Sequence, residues 1–370
     1  MTQENANLYP TYKSLDLLSR ILLTPQTGEA AWKFDALRRD LLEISRKQFD
    51  DLLRLADLNH VVIRAMDVML QMAAKDGDGT RGEWAREALQ AERSRIACAV
   101  GFLSEINAAF AEEGLKAIVI KSLDHWPDLG SDLDMYTDAE PTAVVKLMQR
   151  RFQAKIEERS WGDRLAGKWN FAIPGLPELV EIHVGRLGQT GEQISIASSL
   201  IARARTVEVS GRTFAVPSKS DRLLISTLQR MYRHFYFRLC DMLDSAALVE
   251  TEGVDFIDLQ ASATRAGIWE GVATYLAIVS DYVKSYRGEG LALPDAVTRS
   301  ARFGGEAVYY GRGFIRVPIL PQSARLYGSQ LAGVLGKGQL HAGARLSLLP
   351  WLATAAAVGM KITGSDKGIW

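Results

Sequence analysis

From Ser14 to about Ala74 apolar residues recur at steps of three and four, as in "FDALRRDLLEISRKQFDDLLRLADLNHVVIRAMDVMLQMAA". That spacing predicts a run of amphipathic helices. "KDGDGT" then breaks the pattern. It opens like a calcium loop, but Arg81 stands at the sixth position, where such a loop needs glycine for its turn, so a solvated turn is expected. A long helix over 83–113 should follow, with Gly114 as its C-terminal cap. "LKAIVI" is apolar and β-branched and reads as a buried strand. After a polar loop "SDLDMYT" reads as a second strand, and "DAEP" opens a helix, "TAVVKLMQRRFQAKIEE". Two more strands, "KWNFAIP" and "ELVEIHVGR", flank a Pro-Gly-Leu-Pro turn, and a strand pair is expected in "RTVEVSGRTFAVP".

This order predicts an α/β (α+β) protein, a small mixed sheet with helices on it. "SKSDRLLISTLQRMYRHFYFRLCDMLDSAALVE" is periodic enough to predict one long helix, with Ser218 or Ser220 as its N-cap. "FIDLQASATRAGIWEGVATYLAIVSDYVKSY" adds one or two more, and the tail from Gly288 is Gly-rich and less regular. The expected division is a helical region over 1–82, a sheet core over 83–217, a helical domain over 218–300 and an extension over 301–370.

Composition narrows the function classes only a little. The 370 residues are 47% hydrophobic and 24% charged, with 44 Lys plus Arg against 44 Asp plus Glu, so no global basic field advertises nucleic acid. Cys98 and Cys240, the two cysteines, are far apart, which argues against a disulfide scaffold or a cysteine-based zinc site. "MTQENANLYPTYKSLD" has no basic start followed by an apolar core, so no signal peptide and a cytoplasmic location are expected. "LSLLPWLATAAAVGM" is short for a bilayer span and contains Pro350, so a buried or interfacial helix is expected and no membrane span.

The chemistry concentrates in "GLKAIVIKSLDHWPDLGSDLDMY". Asp132 and Asp134 are two apart in a predicted strand and so share a face, where two carboxylates repel each other. A divalent cation removes that conflict. Glu181, in "LVEIHVG", is placed to add a third carboxylate from a neighbouring strand, with His183 on the same strand face. Mg²⁺, or Mn²⁺, prefers such oxygen ligands and completes its shell with phosphates and water. Three carboxylates on adjacent strands would suit a two-metal site for displacement at phosphorus.

The order "IVIKS…GSDLDMY…ELVEIHVG" resembles the nucleotidyltransferase superfamily typified by DNA polymerase beta, and within it a large bacterial family of nucleotidyltransferase-like proteins. "VPSKSDRLLISTLQRMYRH" and "RLCDMLDSAAL" are similar to that family's later segments, so the resemblance spans roughly 83–250. It implies Mg²⁺-dependent transfer of a nucleoside monophosphate, AMP by default, from a nucleoside triphosphate such as ATP to an acceptor that is a small molecule, a peptide or an RNA. Asp132, Asp134 and Glu181 would hold metal, and Glu181 could also take the acceptor proton. Lys121, Ser122, Ser131 and Arg238 would contact the nucleotide, with His183 and His234 behind them. The family's Leu-Lys-Gly reads here Ile120-Lys121-Ser122, without the glycine. That change leaves two other expectations open, a phosphotransferase moving the terminal phosphate and a catalytically silent nucleotide-binding module.

Overall fold

The computed structural model describes residues 12–25, 31–352 and 354–355. Helices come first: Tyr12–Leu23, Ala31–Leu42, Arg46–Leu58, Val62–Asp76 and Gly79–Glu112. "KDGDGT" is the junction between the last two. Gly77 closes one helix at φ 66°, and Asp78 caps the next by accepting from the Arg81 N–H. The long helix therefore starts four residues before the expected 83, because the cap lies inside the turn. It ends as expected, with Gly114 at φ 68° and the Leu115 N–H bonded to the Phe110 carbonyl.

A mixed sheet follows, built from β1 (Ala117–Val119), β2 (Asp132–Thr137), β3 (Lys155–Ile156), β4 (Lys168–Ala172) and β5 (Leu179–Val184). Its order is β1-β2-β5-β4-β3; β2 and β5 run parallel and every other pair is antiparallel. Parallel pairing needs a crossover connection, and the helix Pro141–Phe152 lies within it. The sheet is two-faced in the way strand alternation dictates. Leu133, Met135, Phe171, Val180 and Ile182 all lie fully buried on one face. Asp132, Asp134, Glu181 and His183 share the other with Lys168 and Asn170 of β4. The expected hairpin is a separate two-stranded sheet, Arg205–Val209 with Arg212–Val216.

The single long helix predicted after Ser218 does not form. A helix Lys219–Gln229, capped by Ser218, loosens into a π-helical turn over Arg230–His234. Phe235 then turns to φ 54°, and Tyr236–Phe237 become a strand. Periodicity missed this because the aromatics have other partners: Tyr236 stacks on Phe314 with ring centres 4.4 Å apart, and Phe237 is buried beside Tyr275. Helix resumes at Leu239–Ala247.

The tail is more regular than its glycines suggest. Tyr309–Gly311 and Phe314–Arg316 form a hairpin that pairs with Tyr236–Phe237, and helices Ala324–Gly336 and Leu340–Leu346 follow. Part of the apolar run 346–360 lies outside the described residues. Among the described residues no helix is long and apolar enough to cross a membrane. One hydrophobic cluster runs from Leu15 to Leu326, so the N-terminal helices, the sheet and the later helices share a core. Ser19 of the first helix bonds Tyr282 of the helix Trp269–Arg287.

Candidate functional site

The polar face of the sheet forms one wall of a cleft of about 230 Å³, closed opposite by the π-helical turn and the strand after it. The parallel register sets Asp134 directly opposite Glu181, with Asp132 one alternation earlier on β2. Ligating atoms of Asp134, Glu181 and His183 come within 4.8 Å of one another. Residues separated by nearly fifty positions thus meet because two strands run side by side.

Lys121 ties this cluster together. Its ammonium is ion-paired with Asp134 and lies 3.4 Å from Glu181 Oε1. It reaches them from a turn of the rare, strained hand. Lys121 has φ 62° and ψ −56°, and the Ser122 N–H donates to the Ile120 carbonyl across it at 2.6 Å. The positive φ that a Lys-Gly pair would suggest at the glycine therefore falls on the lysine. The Ser122 hydroxyl is committed to β2: it accepts from the Asp134 N–H at 2.7 Å and donates to the Asp132 carbonyl at 3.2 Å. Ser122 is buried and fastens the loop to the acidic strand.

Glu181 is the most heavily engaged group. It accepts from His183 Nε2 at 2.8 Å and from Lys168 Nζ at 2.9 Å, and Lys168 also bridges to Asp163 at 2.9 Å. Burial opposes its charge, yet Lys121, His183 and Lys168 together hold its carboxyl well below the usual range. His183 is lowered as well, in its case toward the neutral form. Burial lowers it to about 4 against the attraction of Glu181, so it is a neutral imidazole whose Nδ1 is buried without a partner. The two aspartates are under strain. Burial, with repulsion from Glu181 and Asp132, pushes Asp134 up to about 7 against the pull of Lys121. Burial and Glu181 raise Asp132 as well. Two carboxyls with raised proton affinity beside a third that is ionised form a donor set short of positive charge, which fits a hard divalent cation.

Of the remaining residues singled out in the sequence, Ser131 is exposed and its hydroxyl lies 3.5 Å from Asp132. Arg238 lines the cleft with its guanidinium over Tyr236 and its Nε buried without a hydrogen-bond partner. His234 ends the π-helical turn and lines the cleft too, held well below its usual range by burial and by Arg233, Arg230 and Arg238. His183 sits beneath Glu181 and faces a smaller adjoining cavity.

Two site residues escaped the sequence reading. Lys168 begins β4 opposite His183, and its position in a strand register shared with the acids was the available signal. Arg233 lies on the π-helical turn, lines the cleft and makes no ion pair among the described residues. The arginine-aromatic run "MYRHFYFR" was the signal there, but a regular helix would have spaced its side chains differently. Compared with known proteins, the chain matches no family model and no curated protein.

Proposed function

We propose that this protein is a divalent-cation-dependent nucleotidyltransferase that moves a nucleoside monophosphate from a nucleoside triphosphate, ATP by default, to an acceptor. The observation that carries the reading is the register of Asp134 against Glu181, with Asp132 on the same face of a cleft whose far wall carries Arg233. The small mixed sheet that carries the acidic pair, with helices around it, also supports this reading. Asp132, Asp134 and Glu181 are the residues that would hold Mg²⁺, which when bound supplies Lewis acidity at a phosphoryl oxygen. Lys121 neutralises Asp134 and Glu181 and is an ammonium on the cleft that would face the phosphates. Arg233 and Arg238 offer guanidinium groups suited to phosphate oxygens.

Glu181 takes an anchoring part in this reading. Held low by two lysines and His183, it is a weak base, and it fixes Lys121 and Lys168 beside the aspartates. That differs from the sequence-based expectation that Glu181 accepts the acceptor proton. The reading is tested by incubating the protein with Mg²⁺, cell extract and triphosphates labelled at the α or the γ phosphate. Label carried over from the α phosphate supports nucleotidyl transfer. Transfer of γ label alone identifies a phosphotransferase, and no transfer with either label identifies a silent binding module.

Two further results are expected. Arg233→Ala should weaken Mg²⁺–triphosphate binding by about 1.5–3 kcal/mol, the worth of a charge-assisted hydrogen bond, as read by calorimetry. The melting temperature without ligand should not change, since no ion pair is lost. The second concerns pH. The folded value of Asp134, about 7, lies above its unfolded value of 3.8, so this group contributes stability that is full below 3.8 and lost as pH rises through 7. A cation that binds the ionised carboxylates reverses that loss. The rise in melting temperature given by Mn²⁺ or Mg²⁺ should therefore be small at pH 5.5 and grow through neutrality. A cation shift that is constant across this range would rule out ionisation of Asp134 as its source.

A further inference from the structure

A second group of metal-ligating side chains stands on the same cleft, on residues the nucleotidyltransferase reading does not use. A ring nitrogen of His60, a ring nitrogen of His125 and Cys240 Sγ converge within 4.8 Å of one another. His125 is already oriented for ligation. Its Nδ1 is 2.5 Å from Asp244 Oδ2, which turns Nε2 toward Cys240 Sγ at 3.8 Å. Asp244 is held in turn by Arg64, whose Nη1 lies 2.7 Å from Oδ1 while its Nε grips Asp128 at 2.7 Å. A carboxylate behind a histidine is the usual support of a metal-bound imidazole, fixing its tautomer and raising its basicity.

The backbone brings the other two ligands together. Asn59 accepts from the Leu239 N–H through its side chain and from the Cys240 N–H through its carbonyl, locking the loop before His60 to the start of the helix Leu239–Ala247. His60 itself is held at φ 53°, nine-tenths buried, with Nδ1 lacking any partner. Burial, Arg238 and His125 keep its imidazole neutral, the form that ligates a metal.

We propose that His60, His125 and Cys240 bind a zinc ion, with Asp244 as the positioning carboxylate and the remaining coordination position on the cleft side. Two imidazoles and a thiolate form a set that selects Zn²⁺ over Mg²⁺, which takes oxygen ligands. Three protein ligands leave a place for water or a substrate atom. His60 and His125 line the cleft and Cys240 lies behind them, fully buried. That burial also separates this reading from a Cys-His-Asp nucleophile, since no substrate reaches the sulfur. The two-cysteine count argued against such a site, but ligands at positions 60, 125 and 240 leave no spacing motif to read.

The test uses the full chain, freed of metal by a chelator and titrated with Co²⁺ as a spectroscopic stand-in with Mg²⁺ present. A single equivalent should produce a thiolate-to-cobalt charge-transfer band, and Zn²⁺ should abolish it. Cys240→Ser should remove the band and Cys98→Ser should keep it. Asp244→Asn should weaken Co²⁺ binding by about 10–100-fold. Asp134→Asn should leave the band intact, which separates this site from the carboxylate site, so either can fail alone. X-ray absorption at the zinc edge of the unmodified, zinc-loaded protein should show one sulfur and two histidine nitrogens, a readout independent of how the variants fold. Cobalt bound without the band, a band that survives Cys240→Ser, or a zinc shell without sulfur would each overturn the proposal.

Discussion

Asp134→Asn is expected to lower Mg²⁺-dependent triphosphate turnover by roughly 10³-fold, the scale of losing one preorganised electrostatic contact to a transition state. The carboxylate is two-sided. It is crowded by Glu181 and Asp132 and resists ionisation, yet in the proposed function it is one of the groups that would hold the cation. Removing the charge deletes the cation ligand and also relieves the crowding. The melting temperature without metal should therefore stay level or rise at pH 8, where the wild-type carboxyl is ionised, and match wild type at pH 5. Lys121 keeps Glu181 as its partner, so no buried ammonium is left alone. A variant that loses turnover together with several degrees of melting temperature at pH 8 would show that Asp134 is structural, and the site would need another reading.

The acidic face was legible from sequence because strand alternation is a local rule. Asp132 and Asp134 must share a face, and only the register with Glu181 had to come from the fold. Strands β1, β2, β4 and β5, the 205–216 hairpin and most helices were legible for the same reason, whereas β3, expected as the end of a helix, and the strands at 236–237 and 309–316 were not. What escaped depends on contacts distant in the chain. The break at Phe235 follows from Tyr236 stacking on Phe314, almost eighty residues away, and nothing in the local pattern announces it. Because that break was unseen, Arg233 could not be placed in the cleft. The bonding of Ser122 escaped for a related reason. A serine where a glycine is expected looked like a group at a phosphate, whereas its hydroxyl closes two hydrogen bonds to β2. The residue carrying the unusual backbone is Lys121, and a positive φ at lysine leaves no mark in composition or periodicity.

The break also concentrates stability in one buried pair. Arg230 is 1% exposed, with Nε 2.7 Å from Asp241 Oδ2, a charge contact rather than an aligned hydrogen bond, and its guanidinium lies over the Tyr236 ring. Asp241 Oδ2 also accepts from the Arg238 N–H at 2.7 Å, at the start of the helix Leu239–Ala247. One carboxylate thus joins the π-helical turn to the next helix. Arg230→Met keeps much of the volume and leaves Asp241 buried without its counter-charge, which should cost about 3–5 kcal/mol in urea unfolding. Adding Asp241→Asn should recover part of that loss, because the amide oxygen still serves the Arg238 N–H while the unpaired charge is gone. Since the same turn carries Arg233 and His234 into the cleft, Arg230→Met should also weaken triphosphate binding, and the double variant should regain stability without regaining all of the affinity. A cost below about 1 kcal/mol, the worth of an exposed pair, would mean that Arg230 does not hold the turn and that the cleft wall is fixed by the Tyr236–Phe314 stack alone.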